Sequence, residues 1–134
     1  EEISFSGLPR PVLLVFFDPG CPPCWEILPL LGELSQNVAI ILIVAAKEAR
    51  ISEVDRRRLM EFVKEAEEQG GSAFVVLDLW VKGKGFTILQ AYTVGRSPTY
   101  ILIDGKGVIV GVWEGKVEEE KLVEEVRSVL AEAG

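Results

Sequence analysis

The sequence predicts an α/β domain with a mixed five-stranded sheet and helices on both of its faces. Two apolar runs, Val12–Phe17 and Val38–Ala46, are continuous rather than alternating, which is typical of strands that are covered on both sides. Segments with apolar residues at helical spacing lie between the strands. Near the C-terminus, two β-rich runs enclose a short turn that contains glycine, and this pattern predicts an antiparallel hairpin.

Length and composition indicate one domain. The chain has 134 residues, 49% of them apolar and 26% charged, which is enough to bury a core without further crosslinks. We therefore assign residues 1–134 to one domain, in which residues 1–10 form a lead-in arm or a short strand. The net charge of −7 disfavours nucleic acid as a partner, because an acidic surface repels phosphate. No apolar run approaches the roughly 20 residues of a membrane span.

The first strand, Val12–Phe17, runs into the breaking sequence Asp18-Pro19-Gly20, and a helix is predicted from Pro23 to about Gln36. Pro29 lies inside this helix and should kink it, since proline removes one hydrogen bond and crowds the carbonyl four residues back. The second strand, Val38–Ala46, should pair in parallel with the first through the intervening helix.

A second helix should begin at Ser52-Glu53-Val54-Asp55, which has the form of a capping box, and end at Gly70-Gly71. A third strand follows over Ala73–Leu79, and Phe86–Tyr92 is predicted to form a short helix. The hairpin strands and the last helix complete the fold. They span Thr99–Ile103, Val108–Trp113 and about Val117–Ala131.

Both cysteines lie in Cys21-Pro22-Pro23-Cys24, between the first strand and the first helix. A Cys-x-x-Cys pair in this position is typical of a dithiol redox centre. The start of a helix favours an anion, and the thiolate is the nucleophile, so Cys21 should attack and Cys24 should be covered and resolving. Because neither proline can donate through its nitrogen, the Cys21 sulfur should accept from Cys24, through its N–H or its S–H. Exchange would pass through a mixed disulfide.

Other uses of the cysteine pair are weaker. A structural zinc site requires four ligands, and the chain has two cysteines and no histidine. We therefore expect no metal and no cofactor. A purely structural disulfide between Cys21 and Cys24 is the remaining alternative, although such a small loop contributes little stability.

These residues resemble the thioredoxin-like superfamily and, within it, the TlpA/ResA-type thiol–disulfide oxidoreductases. The resemblance rests on Leu13–Phe17 before the dithiol, on Pro29, and on Ser97-Pro98-Thr99 before a hairpin strand. It implies a thioredoxin-like fold with an inserted helix–strand unit that ends in Ala73–Leu79. It also implies that the Ser97–Pro98 bond is cis and faces the dithiol, and that substrate contacts fall on a small set of residues. Those residues are Pro22, Pro23, Trp25, Ser97 and Pro98.

The chain departs from this family where a carboxylate would assist Cys24. The positions that carry one in thioredoxin and in ResA-type proteins correspond here to Val15 and Ile27. Glu26 is one residue away, about 100° around the helix, and should be a solvated side chain. Asp18 is the other nearby acid. If it lies close, it should raise the pKa of Cys21 and so oppose the effect of the helix start.

The leading interpretation is a thiol–disulfide oxidoreductase that reduces protein disulfides. An upstream redox partner would reduce its dithiol again, and we expect the protein to be a monomer. Two alternatives stay open. One is a binding module of thioredoxin fold whose dithiol does not cycle. The other is a thiol peroxidase, although Asp18 stands where those enzymes need threonine. The resemblance favours a location outside the cytoplasm, with an anchor or signal removed, and a cytoplasmic location is also possible because some thermophiles keep intracellular disulfides.

Overall fold

The computed structural model describes residues 11–46, 51–81, 85–86, 88, 98–115 and 119–133. The predicted lead-in segment, residues 1–10, lies outside them. The described elements follow one another in the order β1 (Val12–Phe17), α1 (Pro22–Glu26), α2 (Leu28–Leu34), β2 (Ala39–Ala46), α3 (Glu53–Glu68), β3 (Ala73–Val81), β4 (Gly85–Phe86), β5 (Thr99–Ile103), β6 (Ile109–Glu114) and α4 (Glu119–Ala133).

The strands form one mixed sheet in the order β4-β3-β2-β1-β5-β6. β1, β2 and β3 are parallel, while β5 is antiparallel to β1 and β6 is antiparallel to β5. The predicted five-stranded mixed sheet is confirmed, and the two-residue β4 extends it at the outer end of β3. Phe86, which the sequence placed in a helix, belongs to β4. Of the remainder of that predicted helix, the described residues include Ile88, which is helical.

Both faces of the central strand are buried, as the continuous apolar run predicts. Leu13, Val15 and Phe17 contact one core, to which α1, α2, α3 and α4 all contribute buried side chains. The alternate residues, from Val12 to Phe16, contact a second core on the opposite face, where the helical residue Ile88 packs. Because strand side chains alternate between faces, a strand buried on both sides has an apolar residue at every position.

The long helix predicted after the dithiol is divided in two. α1 ends at Glu26, Ile27 is a turn residue, and α2 begins at Leu28. Pro29 is the second residue of α2 and has no N–H to offer to the carbonyl four residues back. Helical bonding resumes when the Leu31 N–H donates to the Ile27 carbonyl at 3.1 Å. The predicted kink at Pro29 is therefore an interruption of the helix.

The inserted unit also follows the sequence. The Ser52 hydroxyl accepts from the Asp55 N–H at 3.1 Å at the start of α3, and Gly70 adopts a φ of +85° just after its end, where glycine has no steric penalty. Phe74, an apolar residue within β3, is 56% exposed. Its neighbours Ala73 and Val75 contact the core that the helices cover, so Phe74 lies on the opposite face of the sheet, because strand side chains alternate. None of the described helices has the length and apolar character needed to cross a bilayer.

Candidate active site

The chain turns sharply at the carboxyl end of β1. One Asp18 side-chain oxygen accepts from the Gly20 N–H at 2.9 Å, and the Asp18 carbonyl accepts from the Cys21 N–H, also at 2.9 Å. Aspartate favours such turns because its short side chain can bond the backbone two residues ahead. The turn leaves Cys21 in an extended conformation, with φ −108° and ψ 105°, as the residue that caps α1.

The two prolines occupy the first two positions of α1, where their missing N–H groups cost no helical hydrogen bond. The next donor, the Cys24 N–H, bonds the Cys21 carbonyl at 3.0 Å. Cys24 is fully buried, whereas Cys21 is half-buried, and both are free thiols. This difference in exposure is the one that an attacking first cysteine and a covered second cysteine require.

The pKa of the Cys24 thiol is raised to about 12, chiefly by burial. A hydrogen bond to the Cys21 side chain and the negative charges of Cys21 and Asp18 contribute to this rise, while a hydrogen bond from the Asp18 backbone opposes it. Of the two donors that the sequence left open, the Cys24 N–H is used by a carbonyl oxygen, and the thiol is the group that bonds Cys21. The reduced site therefore keeps its inner proton at neutral pH.

Trp25, immediately after the dithiol, is held from three directions. Its Nε1–H donates to the Pro19 carbonyl at 2.9 Å. Its ring meets Phe17 edge-on, with the ring centroids 4.7 Å apart, and the Arg58 guanidinium lies 3.8 Å from its ring centroid. The sequence identified Trp25 as a candidate contact but did not identify Arg58. Three consecutive arginines on α3 gave no sign of which one would reach the site.

The predicted substrate loop is described in part. Pro98 is buried, and its carbonyl accepts from the Gly115 N–H at 2.8 Å. The next residue, Thr99, pairs with Phe16, so Pro98 lies at the end of the sheet where β1 leads into the dithiol turn. Ser97 lies outside the described residues, and so the cis Ser97–Pro98 bond stays a prediction.

No protein-family model matches the chain. A curated relative, the thiol–disulfide oxidoreductase ResA of Halalkalibacterium halodurans, is 31% identical over 138 residues, an alignment that covers 99% of this chain and 70% of the relative. The chain belongs to the ResA-type thiol–disulfide oxidoreductases. The predicted family and its oxidoreductase activity are thereby confirmed.

Solved structures show that this ResA-type protein has the thioredoxin-like fold. A thiol–disulfide isomerase from Corynebacterium glutamicum superimposes with a TM-score of 0.67 at 23% identity, covering 97% of this chain and 87% of its own. A secreted disulfide oxidoreductase of Mycobacterium tuberculosis gives 0.62 at 19% identity, over 92% and 84%. An exposed lipoprotein thioredoxin of Streptococcus pneumoniae gives 0.60 at 20%, over 92% and 87%. At these identities the likeness concerns the fold alone.

Neither of the two positions where relatives carry a carboxylate beside the inner cysteine has one here. Val15 and Ile27 are both buried in the apolar core, with exposed fractions of 0% and 4%, and Glu26 is exposed, as expected. Asp18 is the acid whose charge acts on Cys24. Within the described part of the chain, no group of three or more histidine, cysteine or acidic side chains could hold a metal ion.

Proposed function

We propose that this protein reduces disulfide bonds in other proteins, with Cys21 as the attacking thiol and Cys24 as the resolving thiol. The observation that carries the proposal is the unequal exposure of two hydrogen-bonded thiols: Cys21 is half-buried and Cys24 is fully buried against it. Substrate contacts are assigned to the surface around them, as the family resemblance implies. The residues are Pro22, Pro23, Trp25, Ser97 and Pro98.

The reaction balances in two exchanges. The Cys21 thiolate attacks one sulfur of the substrate disulfide, which forms a Cys21–substrate disulfide and releases the other substrate sulfur as a thiolate that takes up a proton. Cys24 then loses its proton, and its thiolate attacks the Cys21 sulfur. The products are a Cys21–Cys24 disulfide and a fully reduced substrate. Two electrons have moved to the substrate, and a dithiol of an upstream redox partner returns them.

The environment of Cys24 favours its ionisation only after the first of the two exchanges. In the reduced protein, the charge of Cys21 and the hydrogen bond to it help to keep the Cys24 pKa high. In the mixed disulfide, Cys21 carries no charge and is a far weaker acceptor, so both of these contributions are lost. The bond from the Asp18 backbone, which favours the Cys24 thiolate, remains. Ionisation of the resolving thiol thus becomes easier once the substrate is attached.

The reducing direction is part of this proposal, and the potential of the pair tests it, because related dithiols span about −120 to −270 mV. We also propose that the protein acts outside the cytoplasm as a monomer. Two of its structural neighbours are described as a secreted oxidoreductase and an exposed lipoprotein, which supports the location.

The test is reduction of insulin and of glutathione disulfide by the purified reduced protein, followed by equilibration with glutathione. We expect Cys21→Ser to abolish both reactions. In the Cys24→Ser variant, Cys21 should attack the substrate once, and the mixed disulfide should accumulate because no second thiol resolves it. Mass spectrometry detects this species. The equilibrium should give a potential below about −200 mV, the reducing part of the range for such dithiols.

Each other outcome has a definite meaning. Unchanged turnover by Cys21→Ser would exclude Cys21 as the nucleophile. A potential near −120 mV, as in strong oxidants, would reverse the direction. A wild-type dithiol that exchanges with neither substrate would identify a binding module, and fast consumption of peroxide would identify a peroxidase.

A further inference from the structure

A groove of about 280 Å³ separates α2 from α3. It is lined by Leu28, Pro29, Gly32, Arg58, Glu61, Phe62, Glu65 and Gln69. None of these residues belongs to the dithiol site assigned from the sequence. One of them, Arg58, also lies over the Trp25 ring, so the groove begins where the surface around the dithiol ends.

Residues from two segments form its walls. On one side are Leu28, Pro29 and Gly32 of α2, and the three- and four-residue steps to Gly32 place these residues on one side of the helix. Opposite them, α3 and the residue that caps its end supply a second row. That row consists of Arg58, Glu61, Phe62, Glu65 and Gln69.

The length of the groove suits a polypeptide. From Arg58 to its end at Glu68, α3 rises about 15 Å at 1.5 Å per residue. An extended chain covers that distance in about five residues. The groove therefore has room for a short segment of a partner that continues from a cysteine held at the dithiol.

Its chemistry is apolar at the floor and acidic at one rim. Phe62 is buried, with 6% exposure, and Leu28 is partly buried against the same core. Glu61 and Glu65 are exposed, and neither forms an ion pair within the described part of the chain. Arg58 carries the only positive charge among the lining residues, and it lies at the dithiol end.

We propose that this groove binds the segment of a protein substrate that flanks its reactive cysteine, and that it selects a segment of alternating apolar and basic residues. The proposal rests on the proposed function. An apolar side chain packs against Leu28 and Phe62, while a lysine or arginine lies beside Glu61 and Glu65. Arg58 repels a second cation close to the cysteine and thereby sets the direction of the segment.

The experiment compares three disulfide substrates of the reduced wild-type protein. Two are cysteine peptides in mixed disulfide with glutathione, one with leucine and lysine alternating on both sides of the cysteine and one with serine and glutamate. The third is glutathione disulfide, which carries no leucine and lysine segment for the groove to bind. We expect the wild type to reduce the basic peptide roughly fivefold or more faster than the acidic one, as complementary charges at an interface allow.

Two double charge reversals on α3 distinguish an effect of the groove on the reduction rate from an effect of the protein's net charge. Glu61→Lys with Glu65→Lys should lower the rate with the basic peptide by roughly fivefold and raise the rate with the acidic peptide. Glu67→Lys with Glu68→Lys makes the same change of net charge at exposed positions outside the groove. This control should alter both rates less than about twofold, because exposed charges at a distance are screened by salt.

Gly32 offers a change of volume without a change of charge. A Cβ at this position would lie 3.9 Å from the Phe62 ring, an ordinary contact, and alanine is a better helix former than glycine. Gly32→Ala should therefore unfold at an equal or higher temperature than the wild type. Gly32→Leu, which fills more of the groove, should slow the basic peptide while glutathione disulfide is reduced at the wild-type rate.

The controls distinguish failure of this proposal from failure of the proposed function. Failure of the wild type to reduce either insulin or glutathione disulfide would refute the proposed function itself. Equal effects of the two charge-reversal pairs, or equal rates of the two peptides, would overturn the groove as a binding site. A dimer in sedimentation that dissociates on Gly32→Leu would assign the groove to a second copy of the chain, and would also overturn it.

Discussion

The sheet has an aspartate turn at each end, and the two turns serve different purposes. Asp18 follows β1 and Asp104 follows β5. At Asp18 the carboxylate accepts from the N–H two residues ahead, and at Asp104 it accepts from the N–H groups of Lys106 and Val108, at 2.8 and 3.0 Å. These bonds hold the pKa of Asp104 below its usual value. The local motif is similar, and each aspartate follows a buried strand.

The difference lies in what stands behind each turn. The turn at Asp104 joins two antiparallel strands, and its remaining backbone groups bond within the hairpin. Behind the turn at Asp18 lies the buried thiol of Cys24. A hydrogen bond from the Asp18 backbone lowers the pKa of this thiol, and the negative charge of Asp18 raises it. The turn at Asp104 therefore only closes a hairpin, whereas the turn at Asp18 also influences the ionisation of the Cys24 thiol.

The largest effect expected at the dithiol end is a difference in alkylation between its cysteines. At pH 8, a thiol with a pKa of about 12 is ionised only in about one molecule in 10⁴. The rate of alkylation by iodoacetamide should therefore be lower at Cys24 than at the half-buried Cys21, by a factor on the order of 10³ or more. Fragmentation of the alkylated peptide by mass spectrometry assigns the sites. In guanidinium the two rates should converge, and similar rates in the folded protein would contradict the assigned burial.

A second effect concerns stability at alkaline pH. The Cys24 pKa is raised from 9.0 to about 12 on folding, so the folded state binds the proton more tightly than the unfolded state does. The stability associated with Cys24 is fully present below pH 9 and is lost as the pH rises towards 12. Over that window the unfolding free energy of the reduced protein should fall by up to about 1.4 kcal/mol per pH unit.

Urea denaturation at pH 8, 9.5 and 11 measures this slope. The oxidised protein is the matched control, because a Cys21–Cys24 disulfide has no thiol to titrate, and its slope should be shallower. Cys24→Ala provides a second comparison without the thiol. Equal slopes in the reduced and oxidised forms would show that Cys24 ionises alike in the folded and unfolded states.

The smallest effect separates the two aspartates. Asp18→Asn keeps an oxygen for the turn and removes the charge that raises the Cys24 pKa, so Cys24 alkylation should become a few-fold faster at pH 9 to 10. Asp104→Asn, at the other end of the sheet, should leave that rate unchanged. Equal effects of both substitutions would mean that net charge, rather than the position of Asp18, acts on the thiol.

Much of the site could be predicted from adjacent residues. The strand before the dithiol, the two prolines in the first turn of the helix and the unequal roles of Cys21 and Cys24 all depend on local geometry, which spacing encodes. The interruption at Pro29 was foreseen as a kink because its cause is also local. The exposure of Phe74 could not be predicted in this way, since its apolar character does not reveal which face of β3 the helices cover.

The sequence by itself determined the α/β order, the buried central strand and the position of the dithiol at the start of a helix, because each depends on periodicity or on residues within a few positions. Only the tertiary structure decided which arginine covers Trp25, that α2 and α3 enclose a groove, and that the charge of Asp18 reaches Cys24. These features depend on distances between segments that are remote in the chain. Such distances are set by how the helices pack on the sheet, and a single sequence does not express them.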